Sequence, residues 1–311
     1  MRPFVLIALA CLGWLAVLGA VNVDASQIWR VPGDFGTVPE AIASAQPGDT
    51  IEIDMGHYKI AGRGYSLPPG LTIRGIGGVV GSVVLSESAR FPGDWRDAPV
   101  FVLDQPGEPC RFEGISFRDW NLGDGPYQFI SNPIFHVLEG TLEFVDCEFR
   151  DFYKHALYFS GGDGLLDGCR FAHGRGCPSA VSFGGGELVV RDSWFHHNSW
   201  IHDCGEYRGS IIHLRSGQTS LIDSHFEDNG PLVRIIRIDR PAELNAEATC
   251  LVRNASMWEG RVAGSAYLDC CEICPSMWQV VDGGELVIID PLDKAMARES
   301  ASWSQVKSLF D

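Results

Sequence analysis

The chain has 311 residues, with 24 basic and 40 acidic side chains for a formal charge of −16, and is 45% hydrophobic. That hydrophobic share supports a full core, while a field of this sign repels nucleic acids and polyuronates at low salt unless calcium or a local basic strip intervenes. No nucleic-acid partner is therefore expected, and 36 glycines, about 12% against a usual ~7%, call for many tight corners. At the N-terminus Arg2, the apolar run 4–21 and Val23-Asp24-Ala25 predict a signal peptide over residues 1–25. The run also reaches the length of an uncleaved anchor, the one membrane contact expected. Either way the chain is exported, to be secreted or held in the periplasm or cell envelope. The strand pattern then continues without a linker, so residues 26–311 are read as a single domain.

Thr37, Pro39 and Glu40 form a capping box with proline in the first turn, and Pro47-Gly48 stops the run, predicting a helix over about 37–45. Further on, five stretches align: CRFEGISFRDW (110–120), LEFVDCEFRDF (142–152), GLLDGCRFAHG (164–174), LVVRDSWFHHN (188–198) and TSLIDSHFEDN (219–229). Phe117, Phe149, Phe171, Phe195 and Phe226 fall on one position, at intervals of 32, 22, 24 and 31 residues. Self-similarity at this period marks a stacked repeat, in which one unit cannot bury its apolar side alone. A second strand lies outside each aligned stretch: PIFHV (133–137), HALYF (155–159), SAVSF (179–183), SIIHL (210–214) and PLVRI (231–235). Short alternating strands, glycine-rich turns and no intervening helix describe the coils of a parallel β-helix. Leu292, Met296, Trp303, Val306 and Phe310 share a helical face, so an amphipathic helix over about 291–310 is expected. Both helices are read as caps, because the open ends of a solenoid expose strand edges and core.

VPGDFGTVPEAIASAQPGDTIEIDMGHYKI (31–60), followed by GLTIRGIGG (70–78), resembles the opening of right-handed parallel β-helix proteins of the pectin-lyase-like superfamily. The resemblance implies that fold, and an acidic polysaccharide as the ligand or substrate of many members. The motif sets of its polygalacturonase, pectin methylesterase and pectate lyase branches do not occur here, so no branch is assigned.

Function in a solenoid is sought in columns of residues, because equivalent positions on successive coils lie ~4.8 Å apart. Period-two alternation sends Phe101, His136, Tyr158, Ser182, His213 and Arg234 outward from the second strand. Aromatic faces pack on sugar rings, and His and Arg bind hydroxyls or carboxylates, so this strip is the candidate site for a carbohydrate polymer. The same residues also suit an ordinary solvated sheet face. If the strip catalyses, a polysaccharide lyase fits better than a hydrolase: His213 or Tyr158 as base and Arg234 or His136 as charge stabiliser, with no carboxylate pair. No cofactor is required, and calcium is the one ion the charge balance brings into consideration. His196, His197 and His202 lie close together beside Cys204, a composition that suits a transition metal, but no second ligand spacing supports it. Loss of Cys11 leaves nine of ten cysteines, an odd count that requires at least one free thiol in a monomer.

Overall fold

The computed structural model describes residues 26–77, 81–87, 98–120, 133–153, 155–175, 179–199, 209–230, 232–252, 254, 256–262, 265–269, 278–280 and 284–289. The signal segment 1–25 and the helix expected over 291–310 lie outside them. Every strand pairing among the described residues is parallel. The chain winds as a right-handed parallel β-helix, the hand that crossovers between parallel strands take. Each complete coil contributes three strands: for example Phe135–Glu139 to a first face, Thr141–Val145 to a second and Glu148–Phe152 to a third. The first two faces merge into one 18-stranded sheet, because Ser179–Arg191 and Ser210–Ile222 run unbroken around the corner between them. The third face is a separate eight-stranded sheet.

The corners around the third face explain several sequence columns. Asp146, Gly168, Asp192 and Asp223 precede it with φ between 47° and 63°, and Asp119, Asp151, His173, His197 and Asp228 follow or end its strands with φ between 51° and 56°. Left-handed backbone favours Gly, Asp, Asn and His over other residues. The acidic and imidazole residues of these columns are thus there for backbone reasons first.

Inside, Phe117, Phe149, Phe171, Phe195 and Phe226 form one continuous stack, with ring centroids 4.6–4.9 Å apart and planes within 14° of parallel. All five are fully buried. Beside them Cys147, Cys169, Ser193 and Ser224 make a second buried column, in which Ser193 Oγ accepts from Cys169 N at 3.1 Å. Cys147 and Cys169 are free thiols, and burial pushes the Cys147 thiol up to about 12. A third column is an asparagine ladder. The Nδ2 atoms of Asn198, Asn229 and Asn254 donate to the carbonyls of Phe171, Phe195 and Phe226 at 2.8–2.9 Å. Turn carbonyls on these three coils are satisfied this way.

The N-terminal helix spans Val38–Ser44, within the expected range, and its capping box is formed: Thr37 Oγ accepts from Glu40 N at 3.3 Å, and Glu40 accepts from Thr37 N at 3.1 Å. Val38, Ala41 and Ile42 turn inward and join the core. Among the described residues no helix is long and apolar enough to cross a membrane.

Candidate functional site

The outward column of the first face follows from strand register. His136 pairs with Tyr158, Tyr158 with Ser182 and Ser182 with His213. Their neighbours Phe135, Leu157, Val181 and Ile212 point into the core. Four of the six expected residues therefore share one column. Ser182, however, is 2% exposed and offers no open surface.

Two residues are corrected. Phe101 is buried and pairs with Phe135, so Val102 takes its place in the column. The segment Val100–Leu103 is apolar throughout, so no alternation marks which of its residues face in. Arg234 misses the column by three residues: His213 pairs with Arg237, while Arg234 pairs with Trp258. The run Leu232–Ile238 repeats an Ile/Val–Arg pattern every three residues, which permits two registers; the strand takes the later one, pairing Ile236 with Ile212 and Ile238 with Leu214.

The residues that sequence reasoning missed lie two positions further along the same strands, on the same face. They are Ser160, Arg215 and Asp239. Arg215 reaches back across one whole coil. Its Nη1 donates to Tyr158 OH at 2.9 Å, its Nη2 to the Phe159 carbonyl at 2.7 Å, and its Cζ sits 4.5 Å over the Tyr158 ring. Gly184 makes the crossing possible, since a Cβ there would lie 2.8 Å from Nη2 and 3.0 Å from Cζ. The Arg215 Nε is buried and has no partner. Tyr158 thus spends a ring face on a guanidinium rather than offering that face to a sugar.

His136 closes one side of this group, its ring 5.0 Å from Tyr158 and its Nε2 2.8 Å from Ser160 Oγ. Desolvation, and then the nearby Arg215 charge, keep its pKa below the usual histidine range. On the other side His213 Nε2 lies 2.7 Å from Asp239 Oδ2, and Arg237 Nε donates to Asp239 Oδ1 at 3.0 Å. Burial lowers the His213 pKa and outweighs the pull of Asp239. Burial works against the Asp239 charge, yet the bonds from His213 and Arg237 more than compensate and hold it well below the usual carboxylate range. With its pKa lowered, His213 is a neutral imidazole that donates Nε2–H to the Asp239 carboxylate. The strip near neutrality is two guanidiniums, two neutral imidazoles and one carboxylate. It is a local basic strip on an acidic protein, suited to an anion, with one imidazole oriented as a base would be.

The histidine cluster sits elsewhere, where the third face ends. His196 Nδ1 and His197 Nδ1 are 2.9 Å apart with rings 86° to each other, and His173 lies 5.4 Å from His197. Desolvation, followed by His197 and Arg170, lowers His196 to about 4. His202 lies outside the described residues. Among those described, no three His, Cys, Asp or Glu side chains come together as a metal site.

No protein-family model matches the chain, and no curated protein matches it either. Solved structures do share its course. An alginate lyase from Paenibacillus sp. str. FPU-7 is 12% identical, with 85% of this chain and 99% of that one covered at a TM-score of 0.45. A pectin methylesterase in complex with a hexasaccharide is also 12% identical, covering 90% and 96% at 0.45. The rice weevil pectin methylesterase is 10% identical, covering 72% and 76% at 0.41. The likeness is one of fold.

Proposed function

We propose that this is an exported protein whose first face binds a carbohydrate polymer carrying acidic groups, laid along the coils from His136 to Arg237, without turnover. The observation that carries the reading is Arg215. Among the described residues it has no carboxylate partner, it is clamped by Tyr158 and the Phe159 carbonyl, and it keeps a buried Nε unsatisfied. A half-buried guanidinium with no carboxylate beside it carries an uncompensated charge, and an acidic ligand group at its open side offsets that charge. Arg237 adds a second cation one coil beyond His213, so carboxylates or sulfates spaced along a chain meet charges spaced along a strip ~19 Å long. The net charge of −16 then disfavours other acidic polymers that cannot reach this strip.

The His213–Asp239 contact at 2.7 Å favours a second reading, a polysaccharide lyase. There the His213 imidazole takes the proton α to a uronate carboxylate, a C=C bond forms, and the glycosidic oxygen leaves and is protonated. Arg237 neutralises the carboxylate as charge builds on it.

Both readings are tested by titrating pectate and alginate hexamers, with a neutral β-glucan hexamer as control, and by following absorbance near 235 nm. Binding of an acidic hexamer without new absorbance supports the first reading. Absorbance that grows in wild type and vanishes in His213→Ala supports the second. Equal binding of the neutral hexamer, or no binding of any, overturns both.

A further inference from the structure

Resting on the binding reading above, we propose that the polymer on the first face is sparsely charged, with an acidic group at Arg215 and neutral sugar residues on the coils before it. Asp104 and Glu139 are the residues that set this preference.

The border of the face changes sign along the solenoid. Register aligns the last inward residue of each strand: Leu103, Val137, Phe159, Phe183, Leu214 and Ile238. The residues that follow them form the border column, which reads Asp104, Glu139 (after a bulge), Ser160, Gly184, Arg215 and Asp239. Asp104 pairs with Glu139, so two carboxylates stand on neighbouring coils, ~4.8 Å apart along the axis. Both are exposed, and among the described residues neither has a basic partner; Asp104 accepts from Ser66 Oγ at 3.4 Å.

Arg215 is the cation of this column, and it does not turn to the acid on the next coil. Asp239 is already held there by His213 and Arg237. The guanidinium instead crosses Gly184 to Tyr158, whose coil adjoins that of His136 and Glu139. An acid group seated on Arg215 is attracted. A second acid on the sugar before it approaches Glu139 and Asp104 and is repelled, because no cation offsets their charge. A neutral residue meets the opposite. The carboxylates and the Ser160 hydroxyl accept from sugar hydroxyls, and exposed Leu138 and half-buried Val102 give apolar surface to ring C–H groups.

In the other direction three coils, ~14 Å, separate the Arg215 head beside Tyr158 from Arg237. Buried Ser182 and the neutral His213 lie between them. A pyranose unit is about as long as one coil is high, so these two cations suit acids separated by neutral sugars rather than one on every residue. Extended to the coil of Phe101, the two outward columns hold Arg215 and Arg237 against Asp104, Glu139 and Asp239. A polymer charged on every unit therefore meets no net attraction along the face.

The test is calorimetry at one ionic strength on three galacturonate hexamers: fully ionised, methyl-esterified on about two thirds of its acids, and fully esterified. The variant carries Asp104→Asn and Glu139→Gln together; both positions are exposed, and thermal midpoints verify the fold. Wild type should bind the partly esterified hexamer at least about fivefold more tightly than the fully ionised one, and the variant should bring that ratio within about twofold. A fully ionised hexamer bound as tightly as the partly esterified one, or a ratio that the variant leaves unchanged, overturns the inference. The fully esterified hexamer and Arg215→Ala report on the binding reading instead. If wild type binds that hexamer as tightly as the partly esterified one, or Arg215→Ala binds all three like wild type, the acid seat itself is wrong.

Discussion

The first and second faces are built on one core from the same kinds of strand, yet they treat their cations differently. On the second face arginines find carboxylates on adjacent coils: Arg30 and Arg74 both meet Glu52, Arg111 meets Glu143 at 3.2 Å, and Arg191 meets Asp167 at 2.6 Å. These pairs form a ladder that neutralises itself and holds no charge for a ligand. On the first face Arg215 rests on an aromatic ring, and Arg237 must share Asp239 with His213. A residue column in a solenoid can be finished by the protein or left for something else to finish, and counting charges along the sequence does not tell the two apart.

Both faces depend on the shared register, and the largest expected effect tests it. Phe171 lies in the middle of the stack, fully buried between Phe149 and Phe195. Phe171→Ala should cost ~3–5 kcal/mol in chemical denaturation, as buried aromatic truncations do. A near-neutral result would mean that neither face has the alignment described.

Next in size is the cation itself. Arg215→Ala should weaken binding of an acidic hexamer by about ten- to a hundredfold, in line with ~1.4–2.7 kcal/mol for a charge-assisted contact. Gly184→Ala should do the same without removing the charge, because its Cβ would displace the guanidinium from its bed on Tyr158. Unchanged calorimetric affinity in both variants would leave the first face as finished as the second.

How much of this was legible in the sequence follows from what repeats. The Phe stack, the small and sulfur-bearing column and the asparagines recur at a fixed offset, and the structure places them as that spacing requires. Period two also aligned His136, Tyr158, Ser182 and His213. It failed at Phe101, where an all-apolar strand has no alternation, and at Arg234, where a period of three imitates two registers. Arg215 was missed for a different reason. Its contact with Tyr158 spans 57 residues and two coils and depends on a missing Cβ at Gly184, none of which a local pattern can show.

A smaller effect concerns protons. His136 and His213 on the first face, with His173 and His196 on the third, all have pKa values lowered chiefly by desolvation. The unfolded chain therefore binds more protons than the folded one below the ordinary histidine value of ~6.5. Stability from these groups is full above that pH and is lost as pH falls, for His196 down to about 4. The thermal midpoint should accordingly drop between pH 6.5 and 4, and the drop should shrink in His196→Asn. A flat profile would mean that these imidazoles are as well solvated when folded as when unfolded.

The smallest expected effect is on the finished face. Arg74 is 44% exposed, and Glu52 keeps Arg30 as a second partner if Arg74 is lost. Exposed pairs of this kind are worth ~0–1 kcal/mol, so Arg74→Ala should shift denaturation by no more than that. It should also leave hexamer affinity within twofold of wild type, measured beside Arg215→Ala in the same buffer. Both arginines carry the same charge and lie on adjacent faces of one solenoid, so general electrostatic attraction would penalise their loss about equally. Only a ligand seated on the first face makes the two losses unequal. If Arg74→Ala weakens binding as much as Arg215→Ala does, the polymer is held by the field of the whole protein and the first face has no special claim to it.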